Sequence, residues 1–132
     1  MIYNMNNIKV YAFVGPSGTG KSYRAQLVAS ENEINYIIDD GLLIKDNAVI
    51  AGSSAKKAPT KIETVKHALF ITEKERDEIR KAIKKYKPEG ILILGTSDGM
   101  IDKITDNLGL PRPMKRIYIN EVATEEEMKT AR

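Results

Sequence analysis

The chain has 132 residues, of which 42% are hydrophobic and 30% charged, and it contains no cysteine. These values are those of a soluble globular protein of one domain, and they exclude a disulfide framework and a thiolate metal site. His67 is the only histidine, so a site built from several histidines is excluded as well. The formal net charge of +3 comes mostly from scattered lysines. We therefore do not expect a nucleic acid as partner.

The first seven residues lack the basic and apolar regions of a signal peptide, and no apolar run is long enough to span a membrane. We expect a cytoplasmic protein without a membrane partner. The sequence leaves the oligomeric state open.

The most specific feature is residues 15–22, Gly-Pro-Ser-Gly-Thr-Gly-Lys-Ser, which match the pattern G-x-x-x-x-G-K-[ST] in full. Residues 8–14 before it are β-branched or aromatic and predict a buried strand. Residues 23–30 after it predict a short helix. A strand, a glycine-rich loop and a helix are the context in which this pattern binds phosphate groups.

The chemistry of the loop follows from its residue types. Glycines allow successive backbone N–H groups to point inward, and together with the helix N-terminus these donors form an anion site. Lys21 would reach the β- and γ-phosphates, and the Ser22 hydroxyl would ligate Mg²⁺. The predicted nucleotide-binding residues of the loop are Gly15, Pro16, Ser17, Gly18, Thr19, Gly20, Lys21 and Ser22.

This loop resembles the Walker A loops of the P-loop NTPase superfamily. It is similar to those of small-molecule and nucleotide kinases, AAA-type ATPases and transporter ATPases alike. The resemblance therefore implies a site for a nucleoside triphosphate and Mg²⁺, and it does not select a reaction. No Asn/Thr-Lys-x-Asp motif for guanine is found, so we expect ATP.

The second predicted strand, residues 35–40, ends in two carboxylates. Asp39 and Asp40 come after Tyr36, Ile37 and Ile38, which resembles a short Walker B strand. Small-molecule kinases such as shikimate kinase place acceptor-binding acids at a similar position. We predict that Asp39 or Asp40 orients Mg²⁺ or the acceptor and takes part in catalysis. The alternative is that Asp-Asp-Gly only forms a turn.

A β-hairpin is predicted next. Residues 42–45 and 48–51 are apolar runs joined by Asp46 and Asn47, both of which tolerate positive φ. This departs from the kinase pattern, where a helix usually follows the second strand.

Capping boxes then predict three helix starts, at Thr60 with Glu63, Thr72 with Glu75, and Thr124 with Glu127. Residues 91–94 predict a central parallel strand, residues 100–108 a helix and residues 116–120 a further strand. The last helix would stop after barely two turns, so we expect a chain truncated at its C-terminus.

Alternating strands and helices predict a single α/β domain over residues 1–132, a three-layer α/β/α sandwich with a mostly parallel sheet and a hairpin after the second strand. The ligand would lie at the carboxyl ends of the strands, where the loop, the two aspartates and residues 95–98 converge. Gly95 stands where a Walker B acid is expected. Thr96 or Ser97 would contact the γ-phosphate, or Ser97 or Asp98 would cap a helix.

Other charged residues are secondary candidates. Asp98 and Glu121 are the next carboxylates to consider. A mobile phosphate clamp could include Lys56, Lys57, Arg112 and Arg116, which are otherwise solvated surface charges.

Two functions follow. The first is an ATP- and Mg²⁺-binding protein that hydrolyses ATP or transfers its γ-phosphoryl group to a small molecule. The second is a nucleotide-binding regulatory or interaction module with little turnover.

Overall fold

The computed structural model describes residues 3–16, 21–52 and 68–122, with only the backbone of Ser22 and Val122. Within these ranges the chain forms a 3₁₀ turn at Met5–Asn7, six strands and four α-helices. In chain order they are β1 Lys9–Val14, α1 Lys21–Glu31, β2 Tyr36–Asp39, β3 Leu42–Lys45, β4 Ala48–Gly52, α2 Glu73–Tyr86, β5 Gly90–Gly95, α3 Asp98–Leu108, β6 Lys115–Tyr118 and α4 Ile119–Val122.

All six strands belong to one sheet in the order β4-β3-β2-β5-β1-β6. β1 runs parallel to β5 and β6, and β2 runs parallel to β5. β3 lies between β2 and β4 and runs antiparallel to both. The predicted α/β class with a mostly parallel sheet is therefore confirmed.

Two tight turns of the same type connect the antiparallel strands. Asp40 and Gly41 join β2 to β3 with φ values of 54° and 83°, and Asp46 and Asn47 join β3 to β4 with φ values of 49° and 69°. Two-residue loops with positive φ at both positions match the right-handed twist of the strands they join. The predicted hairpin is confirmed, and β2 extends it to a three-stranded antiparallel segment.

The sheet is covered on both faces by helices. On one face, residues such as Val10, Ala12 and Ile93 pack with apolar side chains of α2 and α3. On the other face, Phe13 and Leu92 pack with apolar side chains of α1 and with Ile119. Successive side chains of a strand point to opposite faces, so each parallel strand contributes to both cores.

The helix ends agree with the capping signals where the structure describes them. The amide of Glu75 donates to Thr72 Oγ1 over 3.3 Å, and the Thr72 hydroxyl donates to Glu75 Oε1 over 2.6 Å. The predicted caps at Thr60 and Thr124 lie outside the described residues. The predicted strand over 116–120 was too long at its end, because α4 begins at Ile119.

None of the helices in the described ranges is both long enough and apolar enough to cross a membrane.

Gly52, the last residue of β4, provides a test of the packing between β4 and the turn that joins β2 to β3. It has a φ of +92°, and a Cβ atom there would collide with the carbonyl oxygen of Gly41. We expect Gly52→Ala to lower the free energy of unfolding by at least about 2 kcal/mol, through backbone strain and this collision. Urea denaturation followed by circular dichroism measures the change.

Gly99 is the matched control for this substitution. It lies in the first turn of α3, and a Cβ there would have no neighbour nearer than 4.0 Å. Gly99→Ala should raise stability by about 0.5 kcal/mol, because alanine loses less backbone entropy in a helix. Equal effects of the two substitutions would contradict the packing described for Gly52.

Candidate functional site

The strand order predicts a crevice between the carboxyl ends of β1 and β5. The connection after β1 passes over one face of the sheet through α1, whereas the connection after β5 passes over the other face through α3. Two adjacent strands whose following helices diverge in this way leave a gap at their carboxyl ends, and ligands of open α/β sheets bind there. Gly15 and Pro16 follow β1 and residues 95–98 follow β5, so both segments border this gap.

The two segments are joined by the backbone. The amide of Gly15 donates a hydrogen bond to the carbonyl oxygen of Gly95 over 3.1 Å, which extends the β1–β5 pairing by one step beyond Val14. The start of the glycine-rich loop is thereby held against the end of β5.

Gly15 is required here by a close contact. It is buried, and a Cβ atom at this position would lie 2.5 Å from Cγ2 of Ile119 at the start of α4. Its φ is not positive, so the close contact and not a left-handed backbone accounts for glycine at this position. The absence of a side chain lets α4 pack directly against the beginning of the loop.

Lys21 is the first residue of α1 and is half-buried. Its Nζ atom donates to the carbonyl oxygen of Pro16 over 3.1 Å, so the ammonium group lies against the loop. Ser17, Gly18, Thr19, Gly20 and the side chain of Ser22 lie outside the described residues. The structure thus describes both ends of the predicted phosphate-binding loop.

The contacts around Gly95 account for a glycine, and not an acid, at the end of β5. A Cβ atom there would lie 2.7 Å from Cδ1 of Ile101 and 3.5 Å from Sδ of Met100, both on α3. A side chain at this position would require the Ile101 side chain to move. The residue that follows, Thr96, is exposed, and its amide and hydroxyl both contact Met100 Sδ, at 3.4 and 3.5 Å.

Ser97 caps α3. Its Oγ accepts a hydrogen bond from the amide of Met100 over 3.1 Å, and its backbone is extended. The alternative that assigned Ser97 to helix capping is therefore confirmed.

The twin aspartates differ in their local structure. Asp39 is the last residue of β2, and Asp40 is the first residue of the turn, with a φ of 54°. Ile37 packs in the core on the α1 face, so the alternation along β2 places Asp39 on that same face. The turn accounts for the residue type at Asp40, because aspartate tolerates positive φ. It does not account for Asp39.

Asp98 lies on the opposite face of the sheet, in a cluster with two β6 residues. Arg116 donates to Asp98 Oδ1 over 2.9 Å and to Asp102 Oδ1 over 2.7 Å. The Tyr118 hydroxyl donates to the Asp98 carboxylate, at 3.0 Å from Oδ2. The cluster ties the first two turns of α3 to β6, so Asp98 has a structural role.

The ionisation of these groups follows from the contacts. The hydrogen bond to the Asp98 carboxylate raises the pKa of Tyr118, because ionisation would remove the donor and place a second negative charge beside the first. The hydrogen bonds to Asp102 and Asp98 raise the pKa of Arg116 further. At neutral pH the tyrosine is therefore a neutral donor and the arginine a cation.

Arg112 also binds α3. It donates to Asp106 Oδ2 over 3.0 Å, and its guanidinium lies 3.8 Å from Asp102. Both arginines proposed for a phosphate clamp thus contact carboxylates of α3. The sequence carried a signal for this, since aspartates at 98, 102 and 106 share one helix face.

The remaining predicted site residues are Glu121, Lys56 and Lys57. Glu121 is exposed on α4. Lys56 and Lys57 lie outside the described residues. In the described ranges, no three histidine, aspartate or glutamate side chains approach closely enough to share a metal ion. Mg²⁺ bound with a nucleotide takes many of its ligands from phosphate oxygens and water.

Comparison with models of known protein families gives no match. A search of curated proteins gives none either. The interpretation of the crevice therefore rests on the residues and geometry described above.

The cluster on α3 and β6 leads to a stability prediction. The side chains of Arg116 and Asp102 are only 27% and 25% exposed, whereas those of Arg112 and Asp106 are 62% and 56% exposed. A double-mutant cycle with Arg116→Gln and Asp102→Asn should give a coupling free energy of about 1 kcal/mol. The same cycle with Arg112→Gln and Asp106→Asn should give a smaller value, because water screens exposed pairs. A larger coupling for the exposed pair would contradict the geometry.

Proposed function

We propose that the chain binds ATP and Mg²⁺ at the crevice between β1 and β5, in a three-layer α/β/α sandwich of the P-loop NTPase type. One observation carries the proposal. A complete phosphate-binding sequence over residues 15–22 lies between β1 and α1, at the point where the helices after adjacent strands diverge. A glycine-rich segment without a ligand would not require both the full pattern and this position.

In this proposal the backbone of residues 15–20 and the start of α1 surround the phosphates. Lys21 exchanges its hydrogen bond with the Pro16 carbonyl for the β- and γ-phosphates of the nucleotide. The Ser22 hydroxyl ligates Mg²⁺, and Thr96, exposed at the end of β5, contacts the γ-phosphate or its attacking water.

The reaction we favour is hydrolysis of ATP or transfer of its γ-phosphoryl group to a small molecule. Asp39 is the better of the two acids for orienting Mg²⁺ or the acceptor, because it lies on the same face of the sheet as α1. β5 separates β2 from β1, so Asp39 is about 10 Å from the β1 axis, a distance that a triphosphate with its metal can bridge.

A second candidate is a nucleotide-binding module with little turnover. It is favoured by the contacts of Gly95 and Asp98. Ile101 lies close to the position that an acidic side chain would occupy at the end of β5, and Asp98 is bound to Arg116 and Tyr118. Such a module would present a different surface with and without nucleotide.

Nucleotide binding is tested by Lys21→Ala. The substitution removes a cation that would form charge-assisted hydrogen bonds to phosphate, so the affinity for Mg-ATP should fall at least tenfold, or about 1.4 kcal/mol. Isothermal titration measures it, and the same titration with GTP tests the expected preference for adenine. Lys103→Ala is the control, since Lys103 is exposed on α3. Equal affinity of both variants for Mg-ATP would refute the proposed site.

Turnover is tested by Asp39→Asn. If the chain is an enzyme, its rate should fall by orders of magnitude while ATP affinity stays within about tenfold, because the acid acts mainly in the transition state. The readout is phosphate release together with titration.

The control separates turn formation from catalysis. Asp40 and Asp46 occupy the same position of two similar turns, with φ of 54° and 49°, and asparagine suits both. Asp46→Asn should leave turnover unchanged, and Asp40→Asn shows whether the second acid contributes. Negligible turnover of the unmodified chain would favour the module. Turnover that survives at Asp39→Asn would show that another carboxylate is used.

A further inference from the structure

An open depression lies near the amino-terminal end of β1, and the crevice lies at the carboxyl end of the same strand. The depression has a volume of about 590 Å³ and is formed where the chain enters β1 and where α2 and α3 end. The residues that determine its chemistry are Tyr3, Asn4, Asn6, Arg80, Lys84 and Lys87. β1 has six residues and separates the depression from the crevice by about 20 Å.

The charge of the depression is uniformly positive. Arg80, Lys84 and Lys87 line it, and no carboxylate does. In the described part of the chain, none of the three forms an ion pair with an aspartate or glutamate.

The neutral groups of the depression add no negative charge, and Asn4 adds a donor. The Tyr3 hydroxyl donates to the Pro88 carbonyl over 2.8 Å. Burial, and secondarily Tyr36, raises the pKa of Tyr3 to about 12, so the phenol is uncharged at neutral pH. The side-chain oxygen of Asn4 accepts from the amide of Asn6 over 2.9 Å, and the NH₂ group of Asn4 is the end that can donate to a ligand.

Helix electrostatics explain only part of this arrangement. Cations in the last turn of a helix interact favourably with its C-terminus, which accounts for Lys84 and Lys85 in α2. Arg80 lies a turn earlier, and its guanidinium extends over Gly109 at the end of α3, 3.8 Å from where a Cβ would lie. Lys87 follows the helix in a left-handed conformation, with a φ of 53°. Both nevertheless line the same depression.

The spacing of the cations indicates the shape of the anion. Arg80 and Lys84 are one helical turn apart on one face, and Lys87 follows at the helix end. Seven residues of helix rise about 10 Å, more than one phosphate group can bridge. A linear anion with several phosphate groups would contact all three.

Nearby aromatic residues do not favour stacking of bases. The Tyr86 ring already has the Nζ atoms of Lys45 and Lys85 at 5.6 and 5.5 Å from its centre. Single-stranded nucleic acids bind by stacking bases on free aromatic faces as well as through phosphate contacts. The residues around the depression therefore suit phosphate groups better than bases.

We propose that this depression is a second anion site, which binds a small linear oligophosphate through Arg80, Lys84 and Lys87. This anion site is independent of the nucleotide site proposed for the crevice, because the two sites lie at opposite ends of β1.

The test uses tripolyphosphate without added metal, titrated calorimetrically into the Lys21→Ala variant so that the crevice contributes little. Binding should be measurable. Adding Arg80→Gln, Lys84→Gln and Lys87→Gln together should weaken it at least tenfold. A matched control adds Lys81→Gln, Lys103→Gln and Lys115→Gln, which remove the same charge from exposed positions outside the depression. The control should weaken binding less than threefold.

Lys84→Gln alone keeps the test valid if the triple variant fails to fold, because Lys84 is exposed and makes no ion pair in the described residues. It should weaken binding at least threefold. The proposal is overturned if tripolyphosphate does not bind, if both triple variants weaken binding equally, or if a single-stranded oligonucleotide binds more tightly than tripolyphosphate. Binding of Mg-ATP to the triple variant with Lys21 intact should be unchanged, so the two sites succeed or fail separately.

Discussion

The right-handed crossing of each parallel connection is the constraint on which the arrangement depends. The chain moves from β1 to β2 and on to β4 in one direction across the sheet, and from β4 to β5 and on to β6 in the other. With a fixed hand, the first connection must place α1 on one face and the later ones must place α2 and α3 on the other. Two cores result, together with one crevice between β1 and β5. Gly15 and Pro16 follow β1 directly and therefore border this crevice.

Close packing around the crevice then limits its chemistry. Gly15 and Gly95 are joined by a backbone hydrogen bond, and each faces a side chain that excludes a Cβ atom, Ile119 and Ile101 respectively. An acid at the end of β5 would require the Ile101 side chain to move. The carboxylate on the α1 face is supplied by β2, one strand further from the loop. This displacement of the carboxylate from the loop bears on both proposed functions, catalysis and regulation.

The charged side chains of the two helices α2 and α3 differ in whether they form ion pairs. The aspartates along α3 are bound by Arg112 and Arg116, and the cluster joins this helix to the edge strand β6. The cations at the end of α2 have no such partners among the described residues. Paired charges stabilise the packing of elements, whereas converging charges of one sign repel each other and favour an external anion. The cations at the end of α2 therefore lie where none of the described carboxylates neutralises them.

The sequence by itself determined the local elements and the loop, because their signals act over a few residues. Capping at Thr72, the turn at Asp46 and Asn47, and the apolar run of β5 each depend on neighbours along the chain. Only the tertiary structure decided which face each polar residue occupies. Alternation shows that Ile37 and Asp39 share a face, but the packing of α1 shows which face that is. The need for glycine at 15 and 95 was likewise decided by Ile119 and Ile101, side chains brought there by folding.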